Sequence, residues 1–214
     1  DNCKLINVLI CLFDLEKQLI CYWLSALFGC SFGGMVEQRT TDTPVLVREE
    51  EVSDFPAIWD LNKLAFGQED EGTLVDQLRD AKKKVLSLVA VDEKSGTVLG
   101  HIFFSPVVIV SGSMRIPGVG LAPMAVHPGH QRHGIGSSLV TEGIRRLREG
   151  GHRIVVVLGH PAYYPRFGFI AAKKFGVSCT YDVPDDAFLM LQLEQGAWTG
   201  DGGVVHYASE FDGL

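Results

Sequence analysis

The sequence between residues 119 and 149 has the residue types and spacing of a phosphate-binding site. An apolar segment, 119–126, is followed by a polar loop, by Gln131-x-x-Gly134-x-Gly136, and then by an amphipathic helix. At a helix N-terminus the first backbone N–H groups have no intrahelical acceptor, and the helix dipole is positive there. Glycine lets a ligand approach such a backbone closely. The pattern therefore predicts an anion site whose ligand is a phosphate compound.

Two common nucleotide-binding motifs do not fit this segment. The G-x-G-x-x-G dinucleotide motif would need glycine at 131 and 133, where the chain has Gln131 and His133. The acidic ribose-binding residue of that motif is also missing, because the next predicted strand ends in Gly159-His160-Pro161. A Walker A loop needs Gly-Lys-Ser/Thr, which does not occur in the sequence. A nicotinamide enzyme and a P-loop enzyme are therefore disfavoured.

The segment instead resembles the acyl-CoA pyrophosphate loop of the GNAT superfamily of N-acetyltransferases, whose signature is Gln/Arg-x-x-Gly-x-Gly/Ala. Residues 121–128 resemble the fourth strand of that family, and 157–169, which end in Tyr-x-x-x-Gly-Phe, resemble its fifth strand and the following short helix. The sequences of residues 100–106, 157–161 and 163–169 are most similar to those of the YhbS-like branch. The resemblance implies a mixed α/β fold, the GNAT acyl-CoA N-acyltransferase fold, with a central, mostly antiparallel twisted sheet flanked by helices.

Hydrophobic periodicity predicts the same mixed α/β order, although periodicity alone does not separate it from other α/β folds. Ser53 or Asp54 caps a first helix, Pro56 lies in the first turn of that helix, and an acidic loop follows at 67–72. A second helix includes Leu74 to Leu78. The remaining predicted helices are 134–149 and a short 161–167, and the predicted strands are 45–48, 85–91, 97–110, 119–126, 153–158, 169–179 and 188–193.

Composition excludes some classes of partner. The chain has 214 residues, with 46% hydrophobic residues, 21% charged residues and a formal net charge of −7, which is ordinary for a globular protein. This charge argues against a nucleic-acid partner, which would require clustered Lys and Arg, and it is compatible with a cationic amine. Cys179 alone in the domain favours a reducing compartment, and we predict a cytoplasmic protein. The oligomeric state is not defined by the sequence, and a homodimer is one possibility.

Residues 1–44 are predicted to be an extension and tether ahead of a GNAT domain at 45–214. Four of the five cysteines lie in residues 1–34, without a Cys-x-x-Cys pair. A membrane span needs about 20 apolar residues, and Asp14, Glu16 and Lys17 interrupt this stretch. It also lacks the features of a secretory signal. We expect Met35 to be the natural start, with a weak membrane anchor as the alternative.

The GNAT resemblance implies a binding mode for acetyl-CoA as cosubstrate. Amides after Gln131 would hold the pyrophosphate, and the pantetheine arm would pair with the backbone of the fourth strand. An amide near Met124 would then face the thioester oxygen. Pro123 cannot donate a hydrogen bond, which marks the place where strand pairing opens. The predicted coenzyme-binding residues are Met124, Ala125, Val126, Gln131, Arg132, His133, Gly134, Ile135, Gly136 and Ser137.

The resemblance also implies a proton donor for the departing thiolate. Tyr164 stands four residues before Gly168, at the tyrosine position of the Tyr-x-x-x-Gly-Phe motif. A phenol can protonate a thiolate within hydrogen-bond reach. The alternative is that Tyr164 only packs beneath the coenzyme. Tyr163 is predicted to be structural or part of the substrate wall.

The general base is less defined, because the fourth strand has no ionisable side chain. We rank His160 first, since it follows the fifth strand and histidine titrates near neutral pH. A base acting through water is an equal alternative. The three histidines at 127, 130 and 133 suggest a metal site, but no carboxylate or cysteine accompanies them, and we predict no metal. The other candidate bases are His101, His127, Glu69, Asp70 and Glu71.

Together these features predict an N-acetyltransferase that moves an acetyl group from acetyl-CoA to a primary amine of a small molecule or protein. The transfer is expected to be direct, in a ternary complex. The alternative is a non-catalytic module that binds acyl-CoA, retaining the loop without the chemistry. The sequence carries no selective signature for the acceptor.

Overall fold

The computed structural model describes residues 44–213. The predictions for the extension, including the start at Met35, lie outside these residues. The helices are α1 (Phe55–Phe66), α2 (Asp70–Asp80) and α3 (Ile135–Glu149). The strands are β1 (Val45–Glu49), β2 (Leu86–Asp92), β3 (Val98–Ser111), β4 (Met114–Val126), β5 (Ile154–Leu158), β6 (Ile170–Ala171), β7 (Val177–Cys179), β8 (Phe188–Gln192) and β9 (Gly203–His206).

The described strands form one sheet in the order β1-β2-β3-β4-β5-β8-β6, with β9 pairing with both β3 and β7. The pairs β4–β5 and β7–β9 are parallel, and the other pairs are antiparallel. Helices cover the sheet on both faces. This arrangement agrees with the predicted mixed α/β architecture. No helix within the described range is long and apolar enough to cross a membrane.

One face of the sheet is covered by α3, whose apolar residues recur at helical spacing. Leu139 and Val140 pack in one core cluster with Phe104 of β3 and Val157 of β5. A Cβ on Gly143 would lie 2.5 Å from the Phe104 ring, so the glycine allows the helix to approach the sheet closely. The face covered by α3 is called the α3 face below.

The opposite face is covered by α1 and α2, and we call it the α1/α2 face. Apolar residues of both helices pack there with Val89, Phe103 and Ala125 of the sheet. A fully buried histidine, His101, lies on the same face beside Asn62 of α1. Asn62 Nδ2 lies 3.4 Å from His101 Nδ1, and Ser87 Oγ lies 3.0 Å from Nε2, so the neutral imidazole accepts from Asn62 and donates to Ser87.

The structure departs from the predicted elements mainly where proline and glycine weaken strand propensity. β4 begins at Met114 rather than at 119, because its early residues pair with β3 in spite of Pro117. The predicted strand 169–179 is wrong, since a 3-10 turn over Ala172–Phe175 separates β6 from β7. The prediction also lacked β9, and it placed the start of α2 too late, since α2 begins at Asp70 inside the predicted loop.

The buried imidazole makes stability depend on pH. Burial lowers the pKa of His101 to about 3, against partial compensation by the charge of Glu50. The unfolded chain binds a proton near the ordinary histidine pKa of about 6.5, whereas the folded protein does not until about pH 3. The contribution of neutral His101 to the free energy of unfolding is therefore fully present above about pH 6.5. It is lost as the pH falls, by about 2–3 kcal/mol at pH 4.5.

Chemical denaturation between pH 7 and 4.5 tests this prediction. His101→Gln, which cannot titrate, should flatten the decline by that amount, whereas the exposed-site control His206→Gln should leave the decline unchanged. Equal pH dependence in the His101 variant and the unmodified protein would contradict the assignment.

Candidate functional site

Strands β4 and β5 separate at one end of the sheet. Their parallel pairing runs from Val119 opposite Val155 to Leu121 opposite Val157. Beyond that point, residues 122–126 continue to pair with β3, but no described strand pairs with them on the β5 side. One backbone edge of β4 therefore faces a gap in the sheet.

A bulge in β4 lies at the start of this gap. Leu121 lies opposite Phe104 and Met124 opposite Ile102, so three steps along β4 match two along β3. A bulge bends its strand and increases the local twist. Pro123, inside the bulge, has no N–H with which to continue a ladder. The predicted opening at Pro123 therefore coincides with the place where the two strands part.

The loop after β4 turns its backbone toward the same end of the sheet. Gln131 Nε2 donates to the carbonyl oxygen of Val126 at 3.2 Å, which fixes the loop to the end of the strand. Arg132 (φ 64°) and Gly134 (φ 87°) both adopt the left-handed conformation. This conformation is uncommon for a residue with a side chain, and in loops it turns successive amides into an anion-binding concavity.

The amides between Arg132 and Ser137 retain their hydrogen-bonding capacity. The first backbone bond at the start of α3 runs from Ser138 N to Gly134 O at 2.9 Å. Among the residues that the structure describes, no amide from 132 to 137 donates to a protein acceptor. The positive end of the α3 dipole lies at the same place. The result is a cluster of donors suited to an anion.

A cavity of about 350 Å³ lies against these amides. The Tyr163 hydroxyl hydrogen-bonds the Ser137 side chain, and Arg166 Cζ lies 4.8 Å from the Tyr163 ring centroid. Burial raises the Tyr163 pKa, opposed by this hydrogen bond and by the Arg166 charge. Two arginines, Arg132 and Arg166, line the cavity. The lining residues are Val126, Gln131, Arg132, Gly134, Gly136, Ser137, Tyr163 and Arg166.

Comparison with known proteins agrees with the GNAT resemblance that the sequence indicated. A family model described as the acetyltransferase (GNAT) domain matches residues 47–172. The uncharacterised N-acetyltransferase YhbS of Escherichia coli K12 is 36% identical over 168 residues, which are 78% of this chain and 99% of YhbS. The chain belongs to the GNAT acetyltransferase family. The predicted resemblance is confirmed, and the chain is an acyltransferase of this family.

Two solved GNAT structures resemble the structure of this chain. The crystal structure of E. coli YhbS in complex with CoA has a TM-score of 0.73 and 36% identity, and the match covers 78% of this chain and 92% of that one. A GNAT acetyltransferase of Brucella melitensis in complex with acetyl-CoA has a TM-score of 0.65 and 36% identity, covering 79% and 99%. The predicted GNAT fold is therefore confirmed.

The two tyrosines of the GNAT segment lie at different depths. Tyr163 lines the cavity, whereas Tyr164 is 2% exposed and packs in the core on the α3 face. A Cβ on Gly159 would lie 2.2 Å from the Tyr164 ring. Burial raises the Tyr164 pKa, so its phenol keeps its proton at neutral pH. The role of Tyr164 as proton donor stays a prediction.

His160 lies just after β5, with its side chain half-buried. Its Nδ1 accepts a hydrogen bond from the amide of Ala162 at 3.2 Å. In a neutral imidazole with Nδ1 accepting, the proton is on Nε2, which then has no lone pair for a substrate proton. The assignment of His160 as general base stays a prediction, and it requires this hydrogen bond to break or the tautomer to change.

The loop histidines hold the backbone in this conformation. His127 Nδ1 accepts from the amide of Gly129 at 3.2 Å, and its ring contacts that of His130 edge to face with centroids 5.3 Å apart. Within residues 44–213, no group of three histidine, cysteine or acidic side chains is arranged to hold a metal.

Sequence reasoning did not identify Arg166, and it did not assign Tyr163 to the coenzyme loop. The sequence contained a usable signal. Residues three apart lie on the same side of a 3-10 helix, and the segment Tyr164–Phe167 with its N-cap Tyr163 forms such a turn. A 3-10 turn there would have predicted that Tyr163 and Arg166 share a face.

The close contact between Gly159 and Tyr164 predicts the effect of a methyl group. Gly159→Ala should displace the Tyr164 ring and lower the free energy of unfolding by about 1–3 kcal/mol, as expected for overpacking in a core. Gly129→Ala is the control, because its Cβ would meet its nearest neighbour at 3.4 Å, an ordinary contact. Urea denaturation of both variants measures the difference, and equal stabilities would refute the packing argument.

Proposed function

We propose that the protein transfers an acetyl group from acetyl-CoA to a primary amine of a small molecule or protein, directly and in a ternary complex. The cavity beside the open edge of β4 is the observation that carries this proposal. Unbonded amides lie against it, and two arginines, Arg132 and Arg166, line it. A diphosphate is the matching ligand, since guanidinium and helix N-termini both bind phosphate oxygens. The CoA and acetyl-CoA complexes of two relatives support this choice.

The open edge of β4 supports a position for the pantetheine arm. The amide groups of pantetheine can hydrogen-bond to residues 122–126 as an added strand would. The predicted contacts at Met124 and Val126 lie in this segment. The thioester would then reach the bulge, where the Met124 amide is proposed to stabilise negative charge on the carbonyl oxygen.

Tyr164 is the proposed proton donor. When the amine nitrogen attacks the thioester carbon, the C–S bond breaks and its electron pair goes to sulfur. A phenol that holds its proton at neutral pH can transfer it to this thiolate and recover one from the nitrogen. The buried position of Tyr164 among Met124 and Val126 in one core cluster supports this role.

Removing either cavity arginine should weaken coenzyme binding. Arg132→Met and Arg166→Met should each raise the Kd for CoA about 10-fold or more, because a charge-assisted hydrogen bond contributes about 1.5–3 kcal/mol. Arg115→Met removes an exposed arginine at the far end of β4 and should change nothing. Isothermal titration with CoA at low salt measures these values. No heat with the unmodified protein would contradict coenzyme binding altogether.

Tyr164→Phe should lower kcat at least 10-fold while leaving the Kd for CoA within about twofold, since general acid catalysis contributes about 10²–10⁴-fold. Tyr163→Phe should raise the Kd for CoA and leave kcat nearly unchanged. Its hydroxyl lies against Gly136 and Ser137 in the cavity wall. Thiol release from acetyl-CoA with a panel of primary amines provides the rates. Unchanged turnover in Tyr164→Phe would remove Tyr164 from the mechanism. Tight CoA binding without thiol release from any amine would instead favour the non-catalytic module.

A further inference from the structure

Glu71 is a fully buried carboxyl in the first turn of α2. Its Oε1 accepts from Gln68 Nε2 at 3.1 Å, whereas its Oε2 has no hydrogen-bond partner among the described residues. An ionised carboxylate buried with an unsatisfied oxygen is costly. Burial raises the Glu71 pKa, and the charge of Asp70 adds to this effect. Such a group is stable in the fold when it is neutral or when a cationic ligand pairs with it.

The position of Glu71 relates it to the proposed site of transfer. Glu71 occupies the first position of the buried stripe of α2, followed at i+3, i+4 and i+7 by Leu74, Val75 and Leu78. These three residues pack in one cluster with Ala122 and Ala125, which belong to the part of β4 that has left β5. Glu71 therefore belongs to the α1/α2 face, opposite the α3 face and its coenzyme cavity.

The connection between α1 and α2 next to Glu71 is exposed to solvent. Residues 67–69, which connect α1 and α2, are all exposed, and the side chain of Gln68 reaches back to the Glu71 carboxyl. The nearby ion pair between Lys63 and Glu69, at 2.7 Å, is exposed on both sides and holds the connection only weakly. The Gln68 amide donates to Glu71 with the kind of N–H group that an ammonium would present. An ammonium can therefore take its place when Gln68 moves aside.

Other unsatisfied polar atoms lie on the same face. Besides Glu71 Oε2, the buried side-chain atoms without a partner in residues 44–213 are Asn62 Oδ1, Ser105 Oγ and Tyr207 OH. Asn62 points toward His101, and Ser105 shares the face of His101 because it lies four residues along β3. The Tyr207 ring covers Gly120, the strand partner of Ser105. Buried polar atoms are normally satisfied, so their concentration on one face favours a polar ligand there.

We propose that Glu71 is the catalytic residue on the acceptor side, where its carboxylate binds the substrate ammonium and removes one proton from it. This proposal rests on the proposed function. The freed lone pair attacks the thioester carbon, the C–S bond breaks, and the sulfur receives the second proton of the nitrogen through the phenol. The proton on Glu71 leaves to solvent after the amide product departs. The acceptor class is therefore a primary amine that is cationic in solution.

The test compares two matched substitutions in unmodified full-length background. Glu71→Gln should lower kcat/KM for every amine that the unmodified protein acetylates by at least about 100-fold, in line with general base catalysis. The Kd for CoA should stay within about twofold, and thermal stability should be equal or higher because a buried ionisable group is gone. Asp80→Asn, which removes an exposed carboxylate at the C-terminal end of α2, should behave as the unmodified protein.

The outcomes separate the proposal from the function beneath it. Equal kcat/KM in Glu71→Gln and Asp80→Asn overturns the role of Glu71 while leaving acetyl transfer in place. No thiol release by the unmodified protein with diamines, amino acids, aromatic amines or peptides contradicts the proposed function instead. Should Glu71→Gln fail to fold, Glu71→Asp withdraws the carboxyl by one methylene group, and a loss of less than about threefold with it would equally overturn the proposal.

Discussion

The separation of β4 from β5 is the constraint on which the other features of the site depend. In a closed parallel pair, the backbone of residues 122–126 would be satisfied by β5 and could not bind a ligand. Because pairing ends at Leu121, this edge, the amides before α3 and the cavity arginines lie along one continuous path. An unpaired strand edge presents a row of free N–H and C=O groups with which another extended group can pair. The fold therefore forms half of a hydrogen-bonded ladder in advance.

The sequence predicted this backbone arrangement well, because backbone geometry follows from local chemistry. Pro123 cannot pair, Gly134 favours a left-handed cap, and the apolar spacing of α3 requires one buried face. The weak predictions concern elements whose stability comes from tertiary pairing. β9 has four residues and forms because β3 and β7 flank it, a fact that no local pattern carries.

Side-chain roles were less accessible from the sequence, since they depend on depth and on hydrogen-bond partners. Tyr163 and Tyr164 are adjacent and chemically identical, yet one borders the cavity and the other packs against Gly159. His160 is of a suitable residue type for a base, but the contact with the Ala162 amide determines which of its nitrogens carries the proton. In the sequence, Glu71 is one of three acidic residues in the predicted loop between the first two helices. Only its burial and its unpartnered oxygen in the structure distinguish it from Glu69.

The proposed direct transfer of the acetyl group to the amine agrees with the protein nucleophiles found near the cavity. Cys179 is the free cysteine of the described chain, and it ends β7, half-buried against a core cluster, rather than in the cavity lining. Ser137 lines the cavity, but its side chain is hydrogen-bonded to a phenol that stays protonated, which cannot act as a base toward it. An acetyl-enzyme intermediate would need an activated nucleophile at the thioester. With neither group activated there, the described residues favour the proposed direct transfer to a bound amine. A bound amine needs its own polar contacts, and we propose that the unsatisfied atoms of the α1/α2 face supply some of them.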